Sequence, residues 1–247
     1  MNPILQKMMQ TRQVTDHQGA SMNLHSNINA QAGQMLQTWI KKVDCRNSVE
    51  VGLAFGVSSL YILDELAGMP NTMHYGIDPM QFNDRWHGLG LENIKRAGLD
   101  QYYKFFQEPS FTALPKIYET GKRFQFALID GWHTFDYTLV DFFYIDKLLD
   151  INGVVVFDDV GYKAVRKVAT FVLSNLDYSL VDAVKFESLP KKNFKSRLKA
   201  NLAVLSRDDW TPSAQSRTCF DELQGLQTVV LQKNSEDGRS FNHFCPF

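Results

Sequence analysis

The sequence predicts an α/β fold, a parallel sheet with helices packed on both faces. Three observations point to it. Short apolar runs alternate with segments of helical period from about residue 31 to residue 176, the order in which crossover helices join parallel strands. The runs around Leu128 and Val155 are apolar throughout instead of alternating, as strands buried on both faces require. The chain has 247 residues, 44% apolar and 21% charged, enough for a sizeable core and too apolar for disorder.

The elements follow in order. Residues 1–30 mix Gln, Asn, Ser, Met and His without a strong period and read as an arm with room for one helix. Ala32, Met35, Leu36 and Ile40 then fall at helical spacing, and Lys41-Lys42 suit the end of that helix. A strand is predicted over Ser48–Leu53, then a helix over Val57–Ala67 closed by Gly68 and Pro70. The pattern repeats with strands at Met73–Ile77, Tyr102–Phe106, Phe124–Ile129 and Gly153–Phe157. The helices between and after them are predicted at Gly90–Ala97, Ser110–Tyr118, Thr134–Leu149 and Lys163–Leu176. Beyond that the rhythm breaks. Leu180–Phe186 and Thr228–Gln232 read as strands, Asn193–Leu205 as a basic helix and residues 206–218 as a polar loop. The expectation is an arm over 1–30 and one domain over 31–247, with an insertion at about 190–225 before the last strand.

Composition excludes several classes. Twenty-six basic against 27 acidic residues leave a formal charge of −1, which sets up no field for nucleic acid or an anionic membrane. No apolar run approaches the ~18 residues of a membrane span, and the first residues lack the apolar stretch of a secretory signal. Cys45, Cys219 and Cys245 are odd in number and far apart. That argues against a disulfide framework or a paired-cysteine zinc site and fits a reducing, cytoplasmic setting. The run Lys191-Lys-Asn-Phe-Lys-Ser-Arg-Leu-Lys199 reads as a solvated helix face, with a patch for an anionic substrate or carrier as the sharper alternative.

Ligands of open parallel sheets bind at the carboxyl ends of the strands, so the residues found there matter most. The first predicted strand runs into Gly52-Leu-Ala-Phe-Gly56-Val-Ser58-Ser59. Its glycines let backbone approach a ligand, and the helix behind offers free N–H groups to an anion. The second ends at Asp78-Pro79, a carboxylate able to take both hydroxyls of a ribose. The fourth ends at Asp130-Gly-Trp-His133 and the fifth at Asp158-Asp159. Each has a plainer reading: a tight turn, a turn initiator, a helix cap, a helix border, and for Trp132 either core or pocket wall. Those readings are independent of one another, whereas one ligand site accounts for all of these positions together.

Glu50-Val-Gly-Leu-Ala-Phe-Gly-Val-Ser-Ser59, Tyr75-Gly-Ile-Asp78-Pro, Leu128-Ile-Asp130-Gly-Trp-His133 and Gly153-Val-Val-Val-Phe-Asp158-Asp159 resemble the class I S-adenosylmethionine-dependent methyltransferases. Within them the chain is similar to the small metal-dependent O-methyltransferases, including those that methylate sugars in bacterial natural products. The motifs cover about residues 48–160, and the tail from Gln232 to Phe247 resembles the ending of such proteins. The resemblance implies a Rossmann-like three-layer sandwich whose seven-stranded, mostly parallel sheet has an antiparallel last strand. It implies that Glu50, Gly52, Ala54, Gly56 and Ser58 line the methionine end of S-adenosylmethionine and that Asp78 takes the ribose diol. Ser110 would lie near the adenine and Trp132 beside the cofactor. Glu108 and Pro109 depart from the usual Gly-Asp before that serine, so only Ser110 carries over. Asp130, Asp158 and Asp159 would hold a divalent ion, Mg²⁺ or Mn²⁺, with His133 as the basic side chain three positions after the first ligand. Family members often pair through an N-terminal arm, so a homo-oligomer is expected.

The chemistry suits these residue types. Methyl transfer from a sulfonium is an in-line displacement, and an unaided hydroxyl is a poor nucleophile at neutral pH. A hard cation held by carboxylates stabilises the alkoxide, and an imidazole of ordinary pKa about 6.5 is a fitting proton acceptor. The expected acceptor is a small molecule with a hydroxyl, a sugar or a catechol-like diol, and the arm and the insertion would cover it, with His25 and Trp210 able to approach. Two other readings stay open: a metal-dependent hydroxylase, for which His74 and His87 are the nearest second histidines, and a non-catalytic protein that binds S-adenosylmethionine. A nicotinamide oxidoreductase fits less well, because Ala54 stands where a middle glycine is usual. Amino-methylation of nucleic acid fits poorly too, because Asp130-Gly-Trp-His133 stands after the fourth strand in place of the Asp/Asn-Pro-Pro-aromatic motif typical of that chemistry.

Overall fold

The computed structural model describes residues 1–186 and 219–247. The basic run at 191–199, the helix predicted at 193–205, the loop at 206–218, Trp210 and most of the predicted insertion lie outside the described residues.

The chain opens with helix α1 (Pro3–Thr11), whose first turn is closed by the Asn2 side chain accepting from Ile4 N and by Pro3 at the helix start. A small hairpin follows, strands β1 (Gln13–Thr15) and β2 (Ser21–Asn23), paired antiparallel. Residues 1–30 therefore hold a hairpin as well as a helix, and Leu5, Met8, Val14, Leu24 and Ile28 are buried in the main core. Their few apolar positions change period between helix and hairpin, so no single periodicity shows in the sequence.

Helix α2 (Ala30–Lys42) starts at the Asn29 cap and ends on Lys41-Lys42. The alternation then runs as expected: β3 (Asn47–Val51), α3 (Val57–Leu66), β4 (Met73–Ile77), α4 (Leu89–Arg96), β5 (Tyr103–Phe106), α5 (Ser110–Glu119), β6 (Phe124–Ile129), α6 (Phe135–Leu148), β7 (Leu149–Phe157), α7 (Lys163–Asn175), β8 (Tyr178–Lys185) and β9 (Leu226–Lys233). Strand β7 begins four residues earlier than Gly153, directly at the end of α6, and a register shift at Phe124/Phe126 of β6 accommodates the extra length.

The seven-stranded sheet has the order β5-β4-β3-β6-β7-β9-β8. Pairings from β5 through β7 are parallel, and β9 runs antiparallel to both β7 and β8. This is the Rossmann-like, mostly parallel sheet with an antiparallel last strand. Leu36, Ile40, Leu60 and Leu63 of α2 and α3 join Phe126, Leu128 and Val156 in one core. Ala113, Phe142 and Val168 of α5, α6 and α7 join Val49, Ala127, Val155 and Val229 in the other. Chain order reverses between β3 and β6, so the carboxyl ends of β4, β3, β6 and β7 lie side by side. No helix among the described residues is long and apolar enough to cross a membrane.

Candidate active site

The turn after β3 is built on backbone that side chains resist. Gly52 has φ +97°, Ala54 +47° and Gly56 +79°, all in the left-handed region that costs an L-residue about 1–2 kcal/mol. A Cβ on Gly52 would overlap the carbonyl oxygen of Asp130, so glycine there lets the β3 turn close against the end of β6. Helix α3 starts at Gly56 with no side-chain cap, which leaves its first N–H groups directed at the crevice.

Asp78 ties the neighbouring strand to this turn. Its Oδ2 accepts from Leu53 N at 3.1 Å and Ala54 N at 3.2 Å, and its Oδ1 from Met80 N at 2.7 Å. Gln81 adds a bond to the Ala54 carbonyl at 2.9 Å and accepts from Gly90 N at 2.8 Å. Glu50 lies deeper. It is fully buried beneath α3, accepting from the Ser59 hydroxyl and meeting His74 Nε2 at 3.2 Å, while His74 Nδ1 meets Ser48 Oγ at 2.8 Å. His74 is thus a buried partner of Glu50, and His87 sits in the loop after β4 at φ +50°. Ser58 and Ser110 are buried at the starts of α3 and α5.

At the ends of β6 and β7 three side chains converge: Asp130, His133 and Asp159 each present a ligand-type atom, and these atoms lie within 4.8 Å of one another. His133 Nε2 is 3.3 Å from Asp130 Oδ1 and 3.4 Å from Asp159 Oδ2. Asp159 reaches this point from a left-handed backbone, φ +54°. Asp158 is buried behind the cluster, where the Thr228 hydroxyl donates to its Oδ1. Trp132 is 64% exposed between the two ligand-type residues of its loop.

The charges are crowded. Desolvation lifts Asp130 to about 6, opposed by the bond from His133 and aided by the charges of Asp159 and Glu50. Burial lifts Asp158 to about 8, with the Asp130 charge adding to it. Burial pulls His133 down, but its bond to Asp130 and the charges of Asp130, Asp159 and Asp158 outweigh this, so its pKa is raised. Burial, with neighbouring carboxylate charge adding to it, lifts Asp130 and Asp158, a penalty that a divalent cation would relieve. Asp130 and Asp159 bring hard oxygens to the cluster, which suit Mg²⁺ or Mn²⁺, while Asp158 stands outside the grouped atoms.

Three contributors escape sequence reasoning. Thr228 holds Asp158 from 70 positions away, and nothing in the β9 run marks it. Tyr162 stacks on His133, ring centroids 5.2 Å apart and planes at 9°. Asp141 of α6 is buried with Oδ1 unpartnered; burial lifts it to about 7 against a bond from Ser110. The segment before α2 also reaches the site. His25 packs on Phe55 of the glycine turn at 5.1 Å and on Trp86 at 5.4 Å, and Asn29 donates to Gln227 Oε1 at 2.9 Å.

A methyltransferase-domain family matches residues 49–160, the stretch from β3 to the turn after β7. Caffeoyl-CoA O-methyltransferase of Mesembryanthemum crystallinum is 27% identical over 137 residues, 53% of this chain and 50% of that relative. The chain spans about half the length of the curated relatives it matches. The O-methyltransferase from Bacillus cereus, solved in complex with SAH, superposes with a TM-score of 0.62 at 15% identity, covering 94% of this chain and 90% of that one. The O-methyltransferase TomG of Streptomyces achromogenes, involved in tomaymycin synthesis and solved with SAM, gives 0.62 at 16% identity, covering 94% and 91%. At such identities the two structures share the fold. The resemblance read from the four motifs, to the class I S-adenosylmethionine-dependent methyltransferases, is borne out.

Proposed function

We propose that this chain, a methyltransferase-domain protein over residues 49–160, is an S-adenosylmethionine-dependent O-methyltransferase acting on a hydroxyl of a small molecule with adjacent oxygens. The observation that carries this reading is the meeting of Asp130, His133 and Asp159 at the strand ends beside the Gly52–Gly56 turn. The turn and the uncapped start of α3 receive the methionine end of the cofactor. Asp78 takes the ribose hydroxyls, Ser110 lies near the adenine, and Trp132 lies beside the cofactor. Glu50, expected at the methionine end, is instead fully buried, where it joins β3 to Ser59 of α3 and His74 of β4.

The donor set fits a divalent cation. Asp130, Asp158 and Asp159 would hold Mg²⁺ or Mn²⁺, and the bound ion would stabilise the acceptor's oxygen as an anion. His133 accepts the hydroxyl proton at Nε2, and the surrounding carboxylate charge of Asp130, Asp158 and Asp159 favours the imidazolium that results. Orientation of the oxygen toward the methyl group supplies the rest of the rate. The acceptor class is a sugar or catechol-like diol, seated between His133 and the segment around His25. Relatives named for caffeoyl-CoA and tomaymycin chemistry support an oxygen acceptor on a small molecule.

The test is transfer of labelled methyl from S-adenosylmethionine to a panel of sugars and catechols, with Mg²⁺ and with EDTA. The expected outcome is transfer that EDTA abolishes while S-adenosylhomocysteine still binds. Full activity in EDTA would remove the metal from the reading. Cofactor affinity with no transfer to any acceptor would favour a binding protein.

A further inference from the structure

We propose that Tyr162 is a positioning residue that fixes the ring plane of His133; this rests on the proton-acceptor role proposed above for His133. Among the described residues, His133 makes its polar contacts through Nε2 alone, to Asp130 and Asp159 at 3.3 and 3.4 Å. Both contacts are longer than the 2.7–2.9 Å of a strong charge-assisted bond. They also use the oxygens that a cation would claim. With those oxygens engaged elsewhere, the flat face of the ring is what remains to hold it, and that face lies on Tyr162.

Tyr162 is well placed to act as a backstop. It is the residue before α7, and its N–H donates to the Asp159 carbonyl at 2.9 Å, closing a turn directly behind the carboxylate pair. That turn is anchored on both sides. Val160 is buried and donates to the Gln227 carbonyl at 2.8 Å, and the Phe186 ring fills the space where a side chain on Gly161 would lie. Tyr162 as a whole is 57% exposed, and no hydrogen bond of its hydroxyl is found among the described residues. The backbone is thus held while the ring is free to serve as a flat wall. One short turn carries Asp158, Asp159 and the support of His133, so the cation's ligands and the proton acceptor keep one geometry.

The experiment compares Tyr162→Ala, Tyr162→Leu and Tyr162→Phe with the parent chain, by kinetics and by NMR of the His133 ring. Stacking predicts ring-current-shifted His133 signals in the parent and in Tyr162→Phe, lost in Tyr162→Ala and Tyr162→Leu. Positioning predicts kcat about 10–100-fold lower in the Ala and Leu variants, with KM for acceptor and cofactor little changed and rescue by Phe. Unchanged kcat in folded Ala or Leu variants would overturn the proposal. So would a rise in acceptor KM alone, which would make Tyr162 a wall of the acceptor site. If the parent transfers no methyl group, the proposed function fails. In that case NMR still decides the stack: unshifted His133 signals in the parent, or signals unmoved by Tyr162→Ala, would overturn it.

Discussion

His133 stands between two carboxylates that would otherwise repel each other, and its removal tests the proton-acceptor role. If it takes the acceptor's proton, His133→Ala lowers kcat by about 10²–10⁴-fold, leaves S-adenosylhomocysteine affinity intact and recovers partly at high pH. Stopped-time assays across pH beside calorimetry would show this; an unaltered kcat would take His133 out of the role. Asp141 bears on stability. Its folded pKa, about 7, lies above the ordinary value near 4, so between those limits the folded chain binds more protons than the unfolded one. Stability from this group is therefore greatest below pH 4 and falls as pH rises toward 7. Asp141→Asn should flatten the dependence of Tm over that window and raise Tm at pH 8 by several degrees, at ~2–4 °C per kcal/mol for a chain of this size. A parallel displacement of the whole curve would contradict it.

Helices and strands were legible where one physical signal dominated. The apolar runs of β6 and β7 end sharply at Asp130 and Asp158, so which carboxylates sit at strand ends could be read directly. Lys41-Lys42 marked the end of α2, and Gly68 with Pro70 the end of α3. Where an element depends on distant partners, the reading failed. The first residues of β7 carry Asp150, Asn152 and Gly153, turn formers that continue the strand because α6 delivers the chain straight into it. The hairpin within residues 13–23 has three-residue strands, too short to show alternation. That Asp158 faces Thr228 depends on β9 lying beside β7. The glycine turn offers the clearest test at this scale. Gly52→Ala combines a left-handed φ with overlap on the Asp130 carbonyl, so it should cost more than the ~1–2 kcal/mol of conformation alone and shift both Tm and cofactor affinity. Asn29→Ala removes the α2 cap and the bond to Gln227, with an expected loss of ~1 kcal/mol in urea unfolding. An unchanged midpoint would show the cap to be idle.

The whole sheet is fastened at the end opposite the site. Lys233, fully buried, donates to the carbonyls of Asp146 at 2.8 Å and Leu149 at 3.3 Å and to Glu236 Oε2 at 2.7 Å. It joins β9 to the junction of α6 and β7. Lys233→Ala strands those acceptors and should cost about 3 kcal/mol or more, a fall in Tm of roughly ten degrees, with the ratio of kcat to KM unchanged in the surviving folded fraction. A drop of only a degree or two would mean that water replaces the ammonium. Strand β9 has a further consequence, because it lies between β7 and β8 although both precede it in the chain. A ribosome releases β7 and β8 long before residues 226–233 emerge, so each nascent strand must wait with a bare flank. Sheet closure is then a late event in synthesis, and a holding chaperone would find its longest opportunity in that interval.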